Sequence, residues 1–333
     1  MVQEERPSEE KQAFEHRGRM AKRPWEISGS GWRDIALRVW NNVSDHNILI
    51  LAAAVAFYAF LSIFPALVAI VSIYGLIANP ADVQTQFSHY GGILPEEART
   101  LISQQLQRIT ASASSTMSAG LVLGLLFALW TATQVTKAFI TALNVVYAEK
   151  EKRGILQFNQ VALLMTFGGI ILAVLALALI VVLPIVLSTL DLPAALSALL
   201  SYLPWLLLAG CFILWLTVLF RYGPSRKEPQ WNWVSLGSIA TTVLWIIASI
   251  LFSFYVSNFG QYNTTYGSIG AIIILLLWFY VTAFVVLLGA ELNAGMEHQT
   301  TIDTTKGKAR PMGKRGAYVA DTIGASFEGK GMK

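Results

Sequence analysis

The sequence predicts an all-α integral membrane protein with six transmembrane helices and short amphipathic surface helices. Three observations lead there. The 333 residues are 55% hydrophobic and only 13% charged, about half the charge of a soluble domain. Mean hydropathy is +0.55. Apolar runs long enough to cross a bilayer recur along the chain, and Lys and Arg concentrate in alternate connections between them.

A spanning helix needs about 20 predominantly apolar residues. Six stretches qualify: Ile48–Ala78, Ser118–Tyr147, Val161–Leu190, Leu200–Phe220, Val234–Val256 and Ser268–Leu292. Pro65 and Pro184 sit inside the first and third, where a missing backbone donor favours a kink. Residues 1–31 form a polar segment without the short apolar core and cleavage site of a signal peptide, so the first span is expected to act as an uncleaved anchor. Cys211 lies inside an apolar run and reads as a small hydrophobe.

The connections alternate in charge. Eight Lys or Arg precede the first span, and seven follow the last. Lys150, Lys152 and Arg153 lie between spans two and three; Arg221, Arg226 and Lys227 lie between four and five. The other connections hold only Arg99 and Arg108. Positive charge marks cytoplasmic loops, and all four rich segments share a side only if the number of spans is even. The expectation is a multi-pass protein of the bacterial inner membrane with both termini cytoplasmic.

Three regions follow: the polar segment 1–31, a membrane region 32–296 that includes an N-terminal surface helix, and a tail over 297–333. The tail is rich in Gly, Thr and Lys and poor in large apolar residues, a composition expected to be disordered. In the surface helix, Trp32, Ile35, Ala36, Val39, Trp40 and Val43 recur at helical spacing, with Arg33, Asp34, Arg38 and Asn42 opposite. Such a helix lies in the headgroup layer or packs on the bundle end, and the sequence leaves both open. A second stripe, Ala98, Leu101, Ile102, Leu106 and Ile109, follows Pro95-Glu96-Glu97 in the outer loop and reads as a helix capping that face.

Enzyme signatures are weak. His16, His46, His89 and His298 do not pair with one another or with Cys or carboxylates at metal-ligand spacing. Gly307 and Gly313-Lys314 stand one residue too far apart for a phosphate loop, with Arg315 in place of the hydroxyl residue. No Gly-x-Ser-x-Gly elbow is present. The expectation is a non-enzyme without metal or cofactor. The basic tail has few aromatics for base stacking, so membrane lipids, rather than nucleic acid, are the expected partners.

Polar residues inside spans carry the functional candidates. In the second span Trp130, Thr133, Gln134, Lys137, Thr141 and Asn144 fall at offsets of 3, 4, 7, 11 and 14 from the tryptophan, on one helical face. Lys137 lies about ten residues, or about 15 Å, from the inner end of its helix, further than its side chain reaches. The stripe either lines a water-filled substrate path or binds helices together, and the sequence leaves these equal. Tyr58 and Ser62 near Pro65 complete the path on the first reading. Glu291, at the inner end of the sixth span, is expected to pair with Lys137, with Arg38 or Lys150 as the alternative. Gly120 and Gly124 form a GxxxG close-approach motif, able to seat a helix of this chain or of a second copy.

These residues carry a family resemblance. The first span reads Ala53-Ala54-Val55-Ala56-Phe57-Tyr58-Ala59-Phe60-Leu61-Ser62-Ile63-Phe64-Pro65, and the second ends Ala142-Leu143-Asn144-Val145-Val146-Tyr147. The last hairpin reads Tyr262-Asn263-Thr264-Thr265-Tyr266-Gly267-Ser268-Ile269, Leu277-Trp278-Phe279-Tyr280 and Leu288-Gly289-Ala290-Glu291-Leu292-Asn293. Over about residues 45–296 the chain resembles the YihY / virulence-factor BrkB family of bacterial inner-membrane proteins. The resemblance implies six spans and cytoplasmic termini. It also brings an old label, ribonuclease BN, regarded as a misassignment and unsupported by any acid or histidine cluster here. Some members are connected with envelope lipid export, which implies a transporter or flippase of lipid-like substrates; the alternative is a membrane scaffold or regulator of envelope machinery. One departure stands out: members often carry a charge after the Leu-Trp of the fifth span, where this chain has Leu244-Trp245-Ile246-Ile247.

Overall fold

A computed structural model describes residues 17–77, 116–183, 202–259 and 268–327, with positions 193, 196 and 200. The outer-loop stripe at 98–109 and Pro184 lie outside the described residues. Among the described residues eight α-helices follow in order: α1 Gly29–Asp45, α2 Ile48–Ile77, α3 Thr116–Val146, α4 Ile155–Leu177, α5 Leu203–Tyr222, α6 Trp231–Phe259, α7 Ser268–Glu297 and α8 Tyr318–Asp321. A π-helical turn, Ala178–Val182, continues α4. Six of the helices, α2 to α7, are long and apolar enough to cross a membrane, so the chain is a multi-pass helical membrane protein. The third span starts at Ile155 rather than Val161. Pro65 lies within α2, which continues to Ile77.

The chain divides into two compact units. The first takes in Met1–Ile50, Ile140–Ile246 and Phe284–Lys333; the second takes in Leu51–Phe139 and Ile247–Ala283. In the second unit, Phe252 of α6 meets Trp278 of α7 at 5.1 Å between ring centres, and Phe127 stacks on Trp130 along α3 at 5.8 Å. In the first unit, the Trp215 ring of α5 lies against Gly168 and Gly169 of α4. Phe212 of α5 meets Trp245 of α6 at 5.2 Å. At Gly289 of α7 an added Cβ would collide with the Thr241 side chain of α6, and at Gly237 of α6 with Asn293 of α7. Small residues let these two helices approach closely, as membrane helices require where burial gives no drive.

The ends of the helices set up the polar end of the first unit. Ser28 caps α1, its Oγ accepting from Gly31 N at 3.3 Å. Asn47, at φ 52°, turns the chain from α1 into α2; asparagine tolerates this left-handed backbone better than most residues. Asp34, Ile35 and Arg38 of α1 are buried, while Trp40 is 77% exposed. The helix thus packs on the bundle end, and two charges expected on its solvent side are buried instead. Ile35 joins Ala21, Ile27, Trp233 and Met296 in a small apolar cluster.

The tail also departs from its expected disorder, because residues 298–327 are folded. Gln299, Thr300 and Thr304 are fully buried. Thr300 Oγ1 donates to Ala21 O at 2.7 Å, and Arg19 Nη2 to Gly324 O at 2.8 Å. Arg315 ties the turn together, donating to Thr301 O and Ala320 O at 2.6 Å each. Hydrogen bonds to distant buried arginines replace the missing apolar residues.

Candidate functional site

The polar end of the first unit collects side chains from the N-terminal segment, both basic connections and the tail. Asn144, at the end of α3, is the first tie: its Nδ2 donates to Glu151 Oε2 at 2.9 Å, and its Oδ1 accepts from Ser225 N at 2.7 Å. Lys152 N donates to Ser225 Oγ at 3.0 Å. Arg153 donates to both Glu151 oxygens and, through Nη2, to Gly223 O at 2.8 Å. These bonds from Arg153, against the opposing pull of burial, hold the Glu151 carboxyl down at about 2. The tail arrives through Tyr318 N, which donates to Glu149 Oε1 at 2.7 Å.

Two carboxylates of α7 are fully buried, Glu291 and Glu297. Arg226 donates to both oxygens of Glu297, at 2.9 and 2.8 Å. Its guanidinium lies 3.9 Å above the Tyr147 ring, a cation–π arrangement strengthened by burial. Burial pushes the Tyr147 phenol up, so the ring stays neutral. Glu291 receives Asn42 Nδ2 at 2.9 Å and His46 Nδ1. The hydrogen bond to Glu291 raises the His46 pKa above its usual value, against the opposing effect of burial. Asn42 and His46, both of the first unit, are not among the partners that the sequence suggests for Glu291. Arg38, the alternative, donates instead to Gly295 O, Gln299 Oε1 and Ala325 O. Nothing local to the sequence marks these pairings, since more than 240 residues separate His46 from Glu291.

The stripe on α3 does not present one uniform face. Thr133 and Asn144 are buried, Trp130 and Thr141 exposed, and Gln134 and Lys137 in between. Thr133 Oγ1 donates to Leu129 O of its own helix at 2.7 Å, and Gln134 Nε2 to Trp130 O at 3.3 Å. In α2, Ser62 Oγ donates to Ala59 O at 2.8 Å, while Tyr58 is 39% exposed. Around Gly124 an added Cβ would meet no atom within 4 Å; the side-chain space at Gly120 lies outside the described residues.

Two cavities open at this end. One, of about 380 Å³, joins Thr141 and Asn144 of the stripe to Glu149, Glu151 and Arg153, with Val145, Ile155 and Phe158 as apolar wall. The other, of about 360 Å³, is lined by Lys152 and Arg153 of one basic connection and Arg221, Arg226 and Lys227 of the other. Among the described residues no three His, Cys, Asp or Glu side chains converge as a metal-ligand set.

Comparison with known proteins places this architecture. The chain is 29% identical over 252 residues to "Putative ribonuclease-like protein YfkH" of Bacillus subtilis, covering 73% of this chain and 88% of that protein. It is 27% identical over 281 residues to a UPF0761 membrane protein of Tolumonas auensis, covering 81% and 87%. A UPF0761 membrane protein of Acinetobacter baylyi is 27% identical over 259 residues, 76% of this chain but 60% of that longer protein. No solved structure matches. The family described as "Virulence factor BrkB" matches residues 39–313, most of the chain and all six spanning helices; the protein belongs to the virulence factor BrkB family.

Proposed function

We propose that this protein moves a lipid-like amphiphile through the bacterial inner membrane, with both termini cytoplasmic. One observation carries the reading. The last two polar residues of the α3 stripe, Thr141 and Asn144, line a cleft together with the charged Glu149, Glu151 and Arg153 and the apolar Val145, Ile155 and Phe158. An amphiphile needs both kinds of wall, a polar one for its headgroup and an apolar one for its tails. The sidedness rests on charge: the four Lys- and Arg-rich segments meet at one end of the first unit, joined by hydrogen bonds from Arg19 to Gly324, from Tyr318 to Glu149 and from Lys152 to Ser225, and such segments stay cytoplasmic.

A second reading, a non-transporting scaffold of envelope machinery, has its own support. Ser62, Thr133 and Gln134 all bond back to their own helices, as polar residues with a purely structural role do. The ribonuclease-like name of the Bacillus relative has no comparable support among the described residues. The experiment is transport of a fluorescent anionic phospholipid in vesicles reconstituted with wild type, Lys137→Ala or Lys137→Arg. Transport lost in the first variant and partly kept in the second, with both folded and inserted, supports a substrate path. A Lys137→Ala protein equal to wild type makes the stripe structural and favours the scaffold.

A further inference from the structure

Arg221 closes the last turn of α5 and its side chain is 1% exposed. Its guanidinium lies 4.2 Å above the Trp231 ring and 5.3 Å from that of Tyr222. Two of its nitrogens, Nε and Nη1, are buried without a hydrogen-bond partner. The third, Nη2, stands 3.7 Å from Glu228 Oε2, beyond hydrogen-bond length. A buried donor left unpaired is costly, and a charged one more so. The aromatic faces hold the cation in place without using its N–H groups.

Those groups belong to a residue lining the basic cavity of about 360 Å³, together with Lys152, Arg153, Arg226, Lys227 and Glu228. Lys152, Arg153 and Arg226 are already matched by Glu149, Glu151 and Glu297, which leaves Arg221 and Lys227 against Glu228. Glu228 is the single carboxylate of the lining, 40% exposed and shared at 3.5 Å with Lys306. The lining therefore carries an excess of positive charge, and it includes a buried guanidinium with two unpartnered donors and a half-exposed acid. Val161 of the third span also lines it, which puts it beside the membrane boundary.

We propose that this cavity binds a phosphate-type oxyanion, with Arg221 as its central donor and Glu228 as an internal competitor that swings aside. Phosphate oxygens supply the acceptors that Nε and Nη1 lack, and guanidinium–phosphate pairs are among the stronger charge-assisted bonds. Basic pockets beside spanning helices take lipid headgroups by this chemistry, and free phosphate presents the same oxygens. The site stands apart from the transport reading, because a bound phosphate needs no translocation.

The test is calorimetric titration of the full-length protein in neutral detergent with inorganic phosphate, and separately with short-chain phosphatidylglycerol, against chloride at equal ionic strength. Saturable binding of at least one phosphate compound is expected, with chloride silent. Arg221→Gln is expected to weaken it at least tenfold, and Arg221→Lys less. Glu228→Gln, at a side chain 40% exposed and with its helix content checked by circular dichroism, is expected to tighten it several-fold by removing the competitor. Binding of phosphatidylglycerol alone assigns the site to a lipid headgroup; equal binding of both assigns it to the phosphate itself. No saturable binding in wild type, or a Glu228→Gln protein that binds no tighter than wild type, overturns the proposal. Neither result bears on Lys137 or on transport.

Discussion

Arg226 and Glu297 face each other through two hydrogen bonds, at 2.9 and 2.8 Å, with both side chains fully buried. Glu297 also accepts from Thr304 Oγ1 at 3.1 Å, so one carboxylate joins the α5–α6 connection, the end of α7 and the tail. Removing one partner of a buried pair leaves an uncompensated charge, at about 3–5 kcal/mol, whereas replacing both by apolar residues is often neutral. Glu297→Gln is therefore expected to lower stability by about that amount, and Arg226→Met with Glu297→Leu to restore most of it. Denaturant unfolding in detergent measures both; a double variant no better than the single one would count against the pair.

The His46–Glu291 contact gives stability a pH dependence. The histidine pKa is raised from 6.5 by its bond to Glu291. Its contribution is therefore complete below 6.5 and lost as pH rises through the raised value. His298 works in the opposite sense. Burial, then the nearby Arg38 and Arg19, lower it to about 4, so its contribution is present above the ordinary value and lost as pH falls towards 4. Thermal midpoints between pH 4 and 9 are expected to show His46→Gln flattening the alkaline limb and His298→Asn the acid limb. The converse assignment of limbs would overturn both readings.

Ala148, just beyond α3, sits at φ 52°. A left-handed alanine costs about 1–2 kcal/mol, and glycine removes that strain at an entropic cost of roughly 0.5–1 kcal/mol. Ala148→Gly is expected to stabilise the protein by about 0.5–1 kcal/mol, seen as a higher thermal midpoint; a lower midpoint would show that the turn carries no strain.

Gly289 faces Thr241, whose hydroxyl donates to Gly237 O at 2.6 Å and is thereby fixed. A methyl group there overpacks the α6–α7 contact, at a cost of about 1–3 kcal/mol. Gly289→Ala is expected to lose about that much stability, and Thr241→Ala in the same chain to recover a large part. Additive losses in the double variant would place the damage elsewhere.

Sidedness is testable with single cysteines after Cys211 is replaced. A cysteine at exposed Lys308 is expected to resist an impermeant thiol reagent in intact spheroplasts and to react once they are opened. A cysteine at Ser88, in the loop that the charge bias assigns outside, is expected to react in both. Labelling of Lys308→Cys from outside would reverse the orientation.

The sequence alone determined the membrane class, the six spans and the segments that share one end. Each follows from local composition: a bilayer core demands about 20 apolar residues per helix, and charge repels a loop from crossing. The family was legible too, in the Leu288–Asn293 block and the first span. Only the tertiary structure decided the partners. Periodicity assigned Asp34 and Arg38 to a solvent face, but α1 lies on the bundle end, where Arg17 donates to Asp34 and the carbonyls of Gly295 and Ala325 accept from Arg38. Composition made the tail disordered, because it weighs apolar content and cannot count hydrogen bonds across about 280 residues, such as Thr300 to Ala21. Spacing placed the α3 stripe on one helical face but could not tell that Thr133 and Asn144 are buried while Trp130 and Thr141 are exposed. Arg221 looked like any loop cation; its burial beneath Trp231 with open donors exists only once α5 and α6 come together.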